Sequence, residues 1–225
     1  MDAKTVKTAF RDTIPVLTGY VVLGMGFGIL MHANGYGFLW SVAMSLFIYA
    51  GSMQYAAVGL LTGGASLVTV ALTAFAVNAR HLFYGISMVD TYKGMGAVKP
   101  YLIFGLTDET YSLVCTGGKS KIYYILVTLF DHIYWVGGTA LGALLGEAIR
   151  FNTAGIDFAL TALFLTIFTD QWLHSKRHFA AIAGVVITVL CRVIFGASGF
   201  LIPSMIGIAA VLLVAMRKED GCDEA

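Results

Sequence analysis

Long apolar segments alternate with short polar connections along the whole chain. A helix needs about 20 apolar residues to span the hydrocarbon core of a bilayer, and eight segments reach or approach that length. These segments are Ile14–Met31, Phe38–Leu61, Ser66–Val89, Tyr101–Cys115, Ile122–Gly146, Ile156–Trp172, Phe179–Phe195 and Gly199–Met216. The pattern predicts an all-α polytopic membrane protein, with a single membrane domain over residues 1–225 and seven or eight transmembrane helices. The fourth segment is short and contains the polar sequence TDET, so we expect a broken or re-entrant helix there.

The composition supports this class. The 225 residues are 58% hydrophobic and only 12% charged, about half the charge of a typical soluble domain. A net charge of +1 gives no electrostatic basis for binding nucleic acid. Three widely spaced cysteines predict neither a disulfide framework nor a zinc site. Because further apolar segments follow Ile14–Met31 directly, this segment is expected to be a retained span rather than a cleaved signal.

The distribution of lysine and arginine predicts the orientation. Cytoplasmic loops of membrane proteins carry an excess of these residues. With eight spans and the N-terminus inside, nine basic residues lie on the inner side and three on the outer side. The inner set is Lys4, Lys7, Arg11, Lys119, Lys121, Lys176, Arg177, Arg217 and Lys218; the outer set is Lys93, Lys99 and Arg150. We therefore expect both termini to be cytoplasmic, in a bacterial inner membrane.

The two halves of the chain are weakly similar. A shift of 117 residues places Leu46–Tyr55 on Leu163–Trp172, and the candidate repeats cover about residues 10–89 and 128–205. Duplicated halves with broken helices are common in transporters, which bind substrate between the halves near mid-membrane. A chance match in so biased a composition explains the similarity equally well.

Polar side chains interrupt the third segment. Its sequence FAVNARHLFYGISM contains Asn78, Arg80 and His81. An ionisable group near the centre of a span costs about 2.5 to 3.5 kcal/mol by insertion scales, so such groups tend to be functional. Helical spacing places Asn78 and His81 on one face, flanked by Arg80. This cluster either lines a transport path or bonds to protein groups as a structural element.

Three acids are candidate partners for Arg80. Asp108 and Glu109 lie in the TDET sequence, and Asp131 lies about nine residues into the fifth segment. Asp108 is the better candidate because its surroundings are more polar. The pair would be either a static ion pair or a site at which an acid takes up a proton during transport.

The sequence AGSMQY is a second polar interruption. Gly51 would permit local unwinding, and Ser52 and Gln54 offer a hydroxyl and an amide within an apolar span. Broken helices hold substrates in this way in transporters, whereas hydrogen bonding between helices explains the same residues without a ligand. By contrast, two series of glycines at i, i+4 spacing predict packing seams: Gly24 and Gly28, and Gly138, Gly142 and Gly146.

Four sequence motifs together resemble those of one known protein family. YAGSMQY, NARHLFYGISM, LTDETYSL and GIDFALTALF, in this order and spacing, resemble the large subunit of AzlC-type branched-chain amino-acid exporters. The resemblance implies export of valine, leucine, isoleucine and analogues, together with a small AzlD-type membrane subunit as partner. The marked positions of the family fall on Gly51, Ser52, Gln54, Asn78, Arg80, His81, Asp108 and Glu109.

The expected function is therefore secondary transport, not catalysis. The chain lacks the G-x-x-x-x-G-K-[ST] nucleotide motif and needs no cofactor, and its buried acids favour proton coupling by antiport. A channel-like or structural membrane subunit is the alternative. An intramembrane enzyme is disfavoured, because GASG (196–199) resembles the rhomboid serine motif but no later histidine follows it. A metal site at His174 and His178 is also disfavoured, because lysine and arginine lie between them.

Overall fold

The computed structural model describes residues 3–148, 165, 168–169, 172–173, 178–200, 203–204, 206–212 and 215. In this part of the chain every regular element is helical. The helices are α1 (Ala3–Ala33), α2 (Phe38–Phe47), α3 (Gly51–Thr62), α4 (Leu67–Asn78), α5 (Arg80–Ser87), α6 (Lys99–Phe104), α7 (Asp108–Val114), α8 (Lys121–Ala148) and α9 (Phe179–Gly199), with a 3₁₀ turn at Gly96–Val98. Two compact units contain them, Met1–Thr161 and Ala162–Ala225.

The long helices confirm three of the expected spans. Among the described residues, α1, α8 and the first 18 residues of α9 are long and apolar enough to cross a membrane, and the bent pair of α4 and α5 would make a fourth. The sixth expected span and the motif GIDFALTALF lie largely or wholly outside the described residues, as do parts of the eighth span and of the second candidate repeat. The chain is therefore an all-α membrane protein, while the number of seven or eight spans and the repeat stay predictions.

The second apolar segment is two helices rather than one continuous span. α2 ends at Phe47 and α3 begins at Gly51. Tyr49 between them has φ +46°, in the left-handed region that a bulky residue rarely adopts. Tertiary packing holds it there, since Tyr49 is buried and its ring centroid lies 4.4 Å from that of His132. The contact with α8 accompanies a break that lies directly before Gly51, the residue expected to permit local unwinding.

Two further apolar segments are interrupted. The third bends by 48° between α4 and α5. The fourth is broken as expected: α6 stops at Phe104, and α7 starts after Thr107, whose side chain caps the new helix by accepting a hydrogen bond from the Thr110 amide. As a result, α3, α5 and α7 all begin inside apolar segments, and their first turns carry the polar side chains of Ser52, Arg80 and Asp108.

Helices α1 and α8 pack along the predicted glycine seam, which the structure confirms. A methyl group at Gly24 would lie 2.9 Å from the backbone nitrogen of Thr139, and one at Gly28 or Gly142 would overlap the backbone of the opposite helix. Hydrophobic association is weak between helices in lipid, so close backbone approach at small residues provides much of the attraction. This seam fixes α8 against α1 and places Tyr20 of α1 beside Trp135.

Candidate functional site

An ion pair and a hydrogen bond join the first turns of three short helices. Arg80, the first residue of α5, places Nη1 2.6 Å from Oδ2 of Asp108, the first residue of α7. Its Nη2 donates a hydrogen bond of 3.2 Å to Oγ of Ser52 in the first turn of α3. The sequence had favoured Asp108 over the other acids as the partner of Arg80. We call Ser52, Arg80 and Asp108 the polar junction.

The charge of Arg80 needs this partner. The amino end of a helix is the positive end of its dipole, which favours a carboxylate there and disfavours a cation. Asp108 at the start of α7 therefore benefits from its position, whereas Arg80 at the start of α5 does not. The Asp108 carboxylate must supply the compensation that the helix end cannot.

The polar junction retains unused hydrogen-bonding capacity. The two side chains are only 34% and 28% exposed. Among the described residues, Nε of Arg80 and Oδ1 of Asp108 are buried and accept or donate no hydrogen bond of good geometry, and the Tyr84 hydroxyl lies close to the Asp108 carboxyl group. A buried donor or acceptor left without a partner costs about 1 to 3 kcal/mol. One free donor beside a cation and one free acceptor beside an anion form a site suited to a small zwitterion.

An apolar groove of about 450 Å³ lies along α1 to α4. Its walls come from α1 to α4 and the loops that join them: Met31, Tyr36, Trp40, Met44, Ile48, Met53, Ala57, Leu60, Leu61, Val70 and Ala74. Met53 follows Ser52 directly, and Ala74 precedes Asn78 by four residues on α4, which places the two on one face. The groove and the polar junction thus share α3, and α4, which lines the groove, leads through the bend into α5, which carries Arg80.

The other acids belong to a second polar network. Glu109 accepts a hydrogen bond of 2.8 Å from the Tyr20 hydroxyl, which contacts Thr107 Oγ1 at 2.7 Å. Thr107 donates to Thr110 at 3.1 Å, and Thr110 donates to Oδ2 of Asp131 at 2.8 Å. We call these five residues the hydroxyl chain. It joins α1, α7 and α8, so Glu109 and Asp131 are connected to each other rather than paired with Arg80.

Two sequence candidates are engaged in packing. Gln54 is fully buried; its amide nitrogen donates to Ser45 and its amide oxygen accepts from the Trp135 indole, both at 2.9 Å. Ser45 in turn contacts Thr139 at 2.7 Å. A methyl group at Gly51 would lie 2.9 Å from the Trp135 ring. These contacts favour the structural interpretation of both residues, namely attachment of α2 and α3 to α8.

Asn78 and His81 lie at the bend between α4 and α5. His81 Nδ1 is 3.1 Å from the Asn78 carbonyl oxygen, and the His81 ring packs edge-on against Tyr84. Both side chains are partly exposed. They flank the polar junction in sequence, and the structure leaves them available to a ligand without placing them in the ion pair.

Sequence reasoning missed Tyr20, Thr107, Thr110 and Trp135. Only Thr107 carried a local signal, because a threonine followed by acidic residues is typical of a helix N-terminus. His174 and the Ser198 side chain lie outside the described residues, and among the described ones no group of three potential ligands could hold a metal ion.

Comparison with known proteins gives a consistent set of relatives. The family model described as AzlC protein matches residues 15–149. The branched-chain amino acid transport protein AzlC of Bacillus subtilis is 42% identical over 217 residues, which cover 94% of this chain and 85% of the relative. An uncharacterised membrane protein of Helicobacter pylori (strain 26695) is 38% identical over 97% of this chain and 98% of its own.

A more distant relative covers nearly the same extent. The inner membrane protein YgaZ of Escherichia coli is 29% identical over 216 residues, which span 92% of this chain and 87% of its own. No solved structure matches the chain significantly. The relatives thus extend across both compact units, beyond the region that the family model matches.

Proposed function

Because this chain belongs to the AzlC family, we propose that it is a secondary transporter subunit that exports branched-chain amino acids across the bacterial inner membrane in exchange for protons. A relative with 42% identity is named as a branched-chain amino acid transport protein, which supports the substrate class. The observation that carries the proposal is the polar junction, with its free donor on Arg80 and its free acceptor on Asp108.

The junction and the groove together match the parts of such a substrate. The carboxylate of the amino acid would bind Arg80 Nε and the Ser52 hydroxyl, and its ammonium group would bind Asp108 Oδ1. The aliphatic side chain would occupy the apolar groove. Apolar pockets discriminate by only about 1 to 3 kcal/mol per methylene group, so valine, leucine and isoleucine are expected to compete. Asn78 and His81 would border the bound substrate.

Asp108 offers a simple basis for exchange. An ionised Asp108 binds the ammonium group of the substrate, whereas a protonated Asp108 does not. A proton arriving from outside would therefore displace the amino acid outward. The protonated site would then return to the inner side, release the proton to the cytoplasm and bind the next substrate. Proton and substrate exclude each other at one carboxylate, which is the requirement for antiport.

The energy source can be tested in proteoliposomes and in cells. We expect efflux of labelled valine to stop when an uncoupler collapses the proton gradient while ATP stays high, because the proposed exchange uses only protons. Efflux that persists with the uncoupler and stops on ATP depletion would contradict the proposal. Equilibrative flux without counterflow would instead indicate a channel-like subunit.

The family resemblance also implies a small AzlD-type subunit as partner. The same efflux measurement should therefore be made with and without co-expression of such a subunit. We expect transport only when both chains are present. Full activity of this chain alone would remove the partner from the proposal.

The proposed orientation places both termini in the cytoplasm. It is supported by the nine basic residues assigned to the inner side against three on the outer side. A reporter fused after Ala225 that is active only in the cytoplasm should therefore be active, and one active only in the periplasm should be silent. The reverse result would require an odd number of spans, and would favour inverted rather than parallel repeats.

A further inference from the structure

We propose that the hydroxyl chain (Glu109, Tyr20, Thr107, Thr110 and Asp131) holds one proton that its two carboxyl groups share. The five side chains form four consecutive oxygen–oxygen contacts of 2.7 to 3.1 Å. Four hydrogen bonds need four hydrogen atoms, and the three hydroxyl groups supply one each. With both carboxylates ionised, one contact would bring two oxygens together without a hydrogen. A single proton on either acid completes the series.

The Asp131 end of the hydroxyl chain is closed to solvent. Asp131 and Thr110 are fully buried and Tyr20 is 5% exposed, whereas Thr107 and Glu109 at the other end are partly exposed. Oδ1 of Asp131 has no hydrogen-bond partner among the described residues. The Tyr49 hydroxyl is also buried; it lies close to the Tyr20 hydroxyl and within electrostatic range of both carboxylates. At this end of the hydroxyl chain the missing hydrogen must therefore come from a proton within the series rather than from water.

The proton can pass from one end to the other without any atom leaving the chain. With Glu109 protonated, Glu109 donates to Tyr20, Tyr20 to Thr107, Thr107 to Thr110, and Thr110 to the ionised Asp131. When each donor hands its hydrogen to the next oxygen, four O–H bonds break and four form. Asp131 ends protonated and Glu109 ionised, with every bond direction reversed. The total charge stays the same in both states.

Charged and titratable groups surround both ends. Near Glu109 on α7 lie the ion pair of Arg80 and Asp108 and the phenol groups of Tyr49 and Tyr84. Near Asp131 lie the phenol groups of Tyr49 before α3 and Tyr101 on α6, together with Tyr123 and His132 from its own helix α8. The Glu109 end is adjacent in sequence to Asp108, so a proton stored at buried Asp131 can reach the vicinity of the proposed substrate site.

Infrared difference spectroscopy, comparing the purified unmodified protein with each variant, tests whether the hydroxyl chain holds a shared proton. A neutral carboxyl group has a C=O stretching band that a carboxylate lacks. We expect this band in the unmodified protein at neutral pH, and its loss in both Glu109→Gln and Asp131→Asn. Each amide supplies the fourth hydrogen itself, so the remaining acid can stay ionised. Tyr20→Phe should also abolish the band, because Thr107 and Thr110 then satisfy the two remaining contacts to Asp131, and the partly exposed Glu109 can accept hydrogen bonds from water as a carboxylate.

The outcomes separate a shared proton from a local one. Retention of the band in Glu109→Gln and Tyr20→Phe would assign the proton to Asp131 alone. Retention in Asp131→Asn would assign it to Glu109 alone, and absence from the unmodified protein would mean that no proton is held. Each of these three results overturns the inference. Since Tyr20→Phe keeps the aromatic ring against Trp135, it provides a test even if an amide variant fails to fold.

Matched controls exist in the same chain. Glu147→Gln and Asp90→Asn remove exposed carboxylates, and Tyr134→Phe removes a hydroxyl that bonds Thr13 instead; all three should keep the band. The inference rests on the proposed function only in assigning the shared proton to transport. The infrared band itself can be measured without substrate. ATP-driven efflux with an intact band would refute the proposed function alone. Proton-driven efflux without the band would refute the inference alone.

Discussion

Arg80→Ala is expected to abolish valine efflux and to destabilise the folded protein. The substitution removes the cation that would bind the substrate carboxylate and leaves Asp108 without its partner at 2.6 Å. A buried charged group that loses its partner lowers the free energy of unfolding by about 1 to 3 kcal/mol or more. Because about a third of each side chain in this pair is exposed, we expect a loss in the lower part of that range. Efflux and the thermal midpoint in detergent measure the two effects.

The double variant separates mechanism from structure. Asp108→Asn alone leaves Arg80 unpaired, so combining it with Arg80→Ala should cost less stability than the sum of the single changes. We expect the double variant to be folded but inactive. If it recovers both folding and efflux, the pair is only structural. If the two effects simply add, the residues are not energetic partners, which would contradict the geometry.

A matched control comes from the second ion pair in the described chain. Arg11 lies 3.8 Å from Asp12 but is 79% exposed, and exposed pairs contribute about 0 to 1 kcal/mol. Arg11→Ala should therefore leave both efflux and the thermal midpoint nearly unchanged. An equal loss of efflux in Arg11→Ala and Arg80→Ala would show that the assay reports loss of any arginine rather than of the polar junction.

Gly142→Ala is expected to reduce the yield of folded protein sharply. Its new methyl group would overlap the backbone of Met25, and a backbone, unlike a flexible side chain, cannot move aside unless α1 and α8 separate. Overpacking a close contact costs about 1 to 3 kcal/mol and sometimes more. The hydroxyl chain and the Tyr20–Trp135 contact both depend on this helix pair. The monodisperse peak in size-exclusion chromatography measures the effect.

Gly137→Ala gives the matched comparison on the same helix. No atom lies within 4 Å of the position of its methyl group, and alanine favours a helix over glycine by about 1 kcal/mol in either place. We therefore expect Gly137→Ala to equal or slightly exceed the unmodified protein in yield. Equal behaviour of the two variants would mean that the seam tolerates separation and does not determine the fold.

Local sequence determined the class of protein and much of its helical plan. Continuous hydropathy predicted α1, α8 and α9, because backbone groups in lipid must be satisfied within a helix. The glycine spacing predicted the seam between α1 and α8, since small residues at i, i+4 form a flat strip on one face. The polarity of TDET predicted the break before α7. In each case the determining information lies within a few turns of one helix.

Tertiary structure alone decided which polar groups meet. Gln54 and Ser52 are two residues apart and were equivalent candidates in the sequence. Gln54 accepts a hydrogen bond from Trp135 on α8, whereas Ser52 accepts one from Arg80 on α5. Asp108 and Glu109 are adjacent, yet one pairs with Arg80 and the other with Tyr20 on α1. Likewise, contact with His132 fixed the break at Tyr49. Successive residues of a helix point in directions about 100° apart. Their partners therefore depend on which distant helix packs on each side, and the hydropathy of the sequence does not specify that packing.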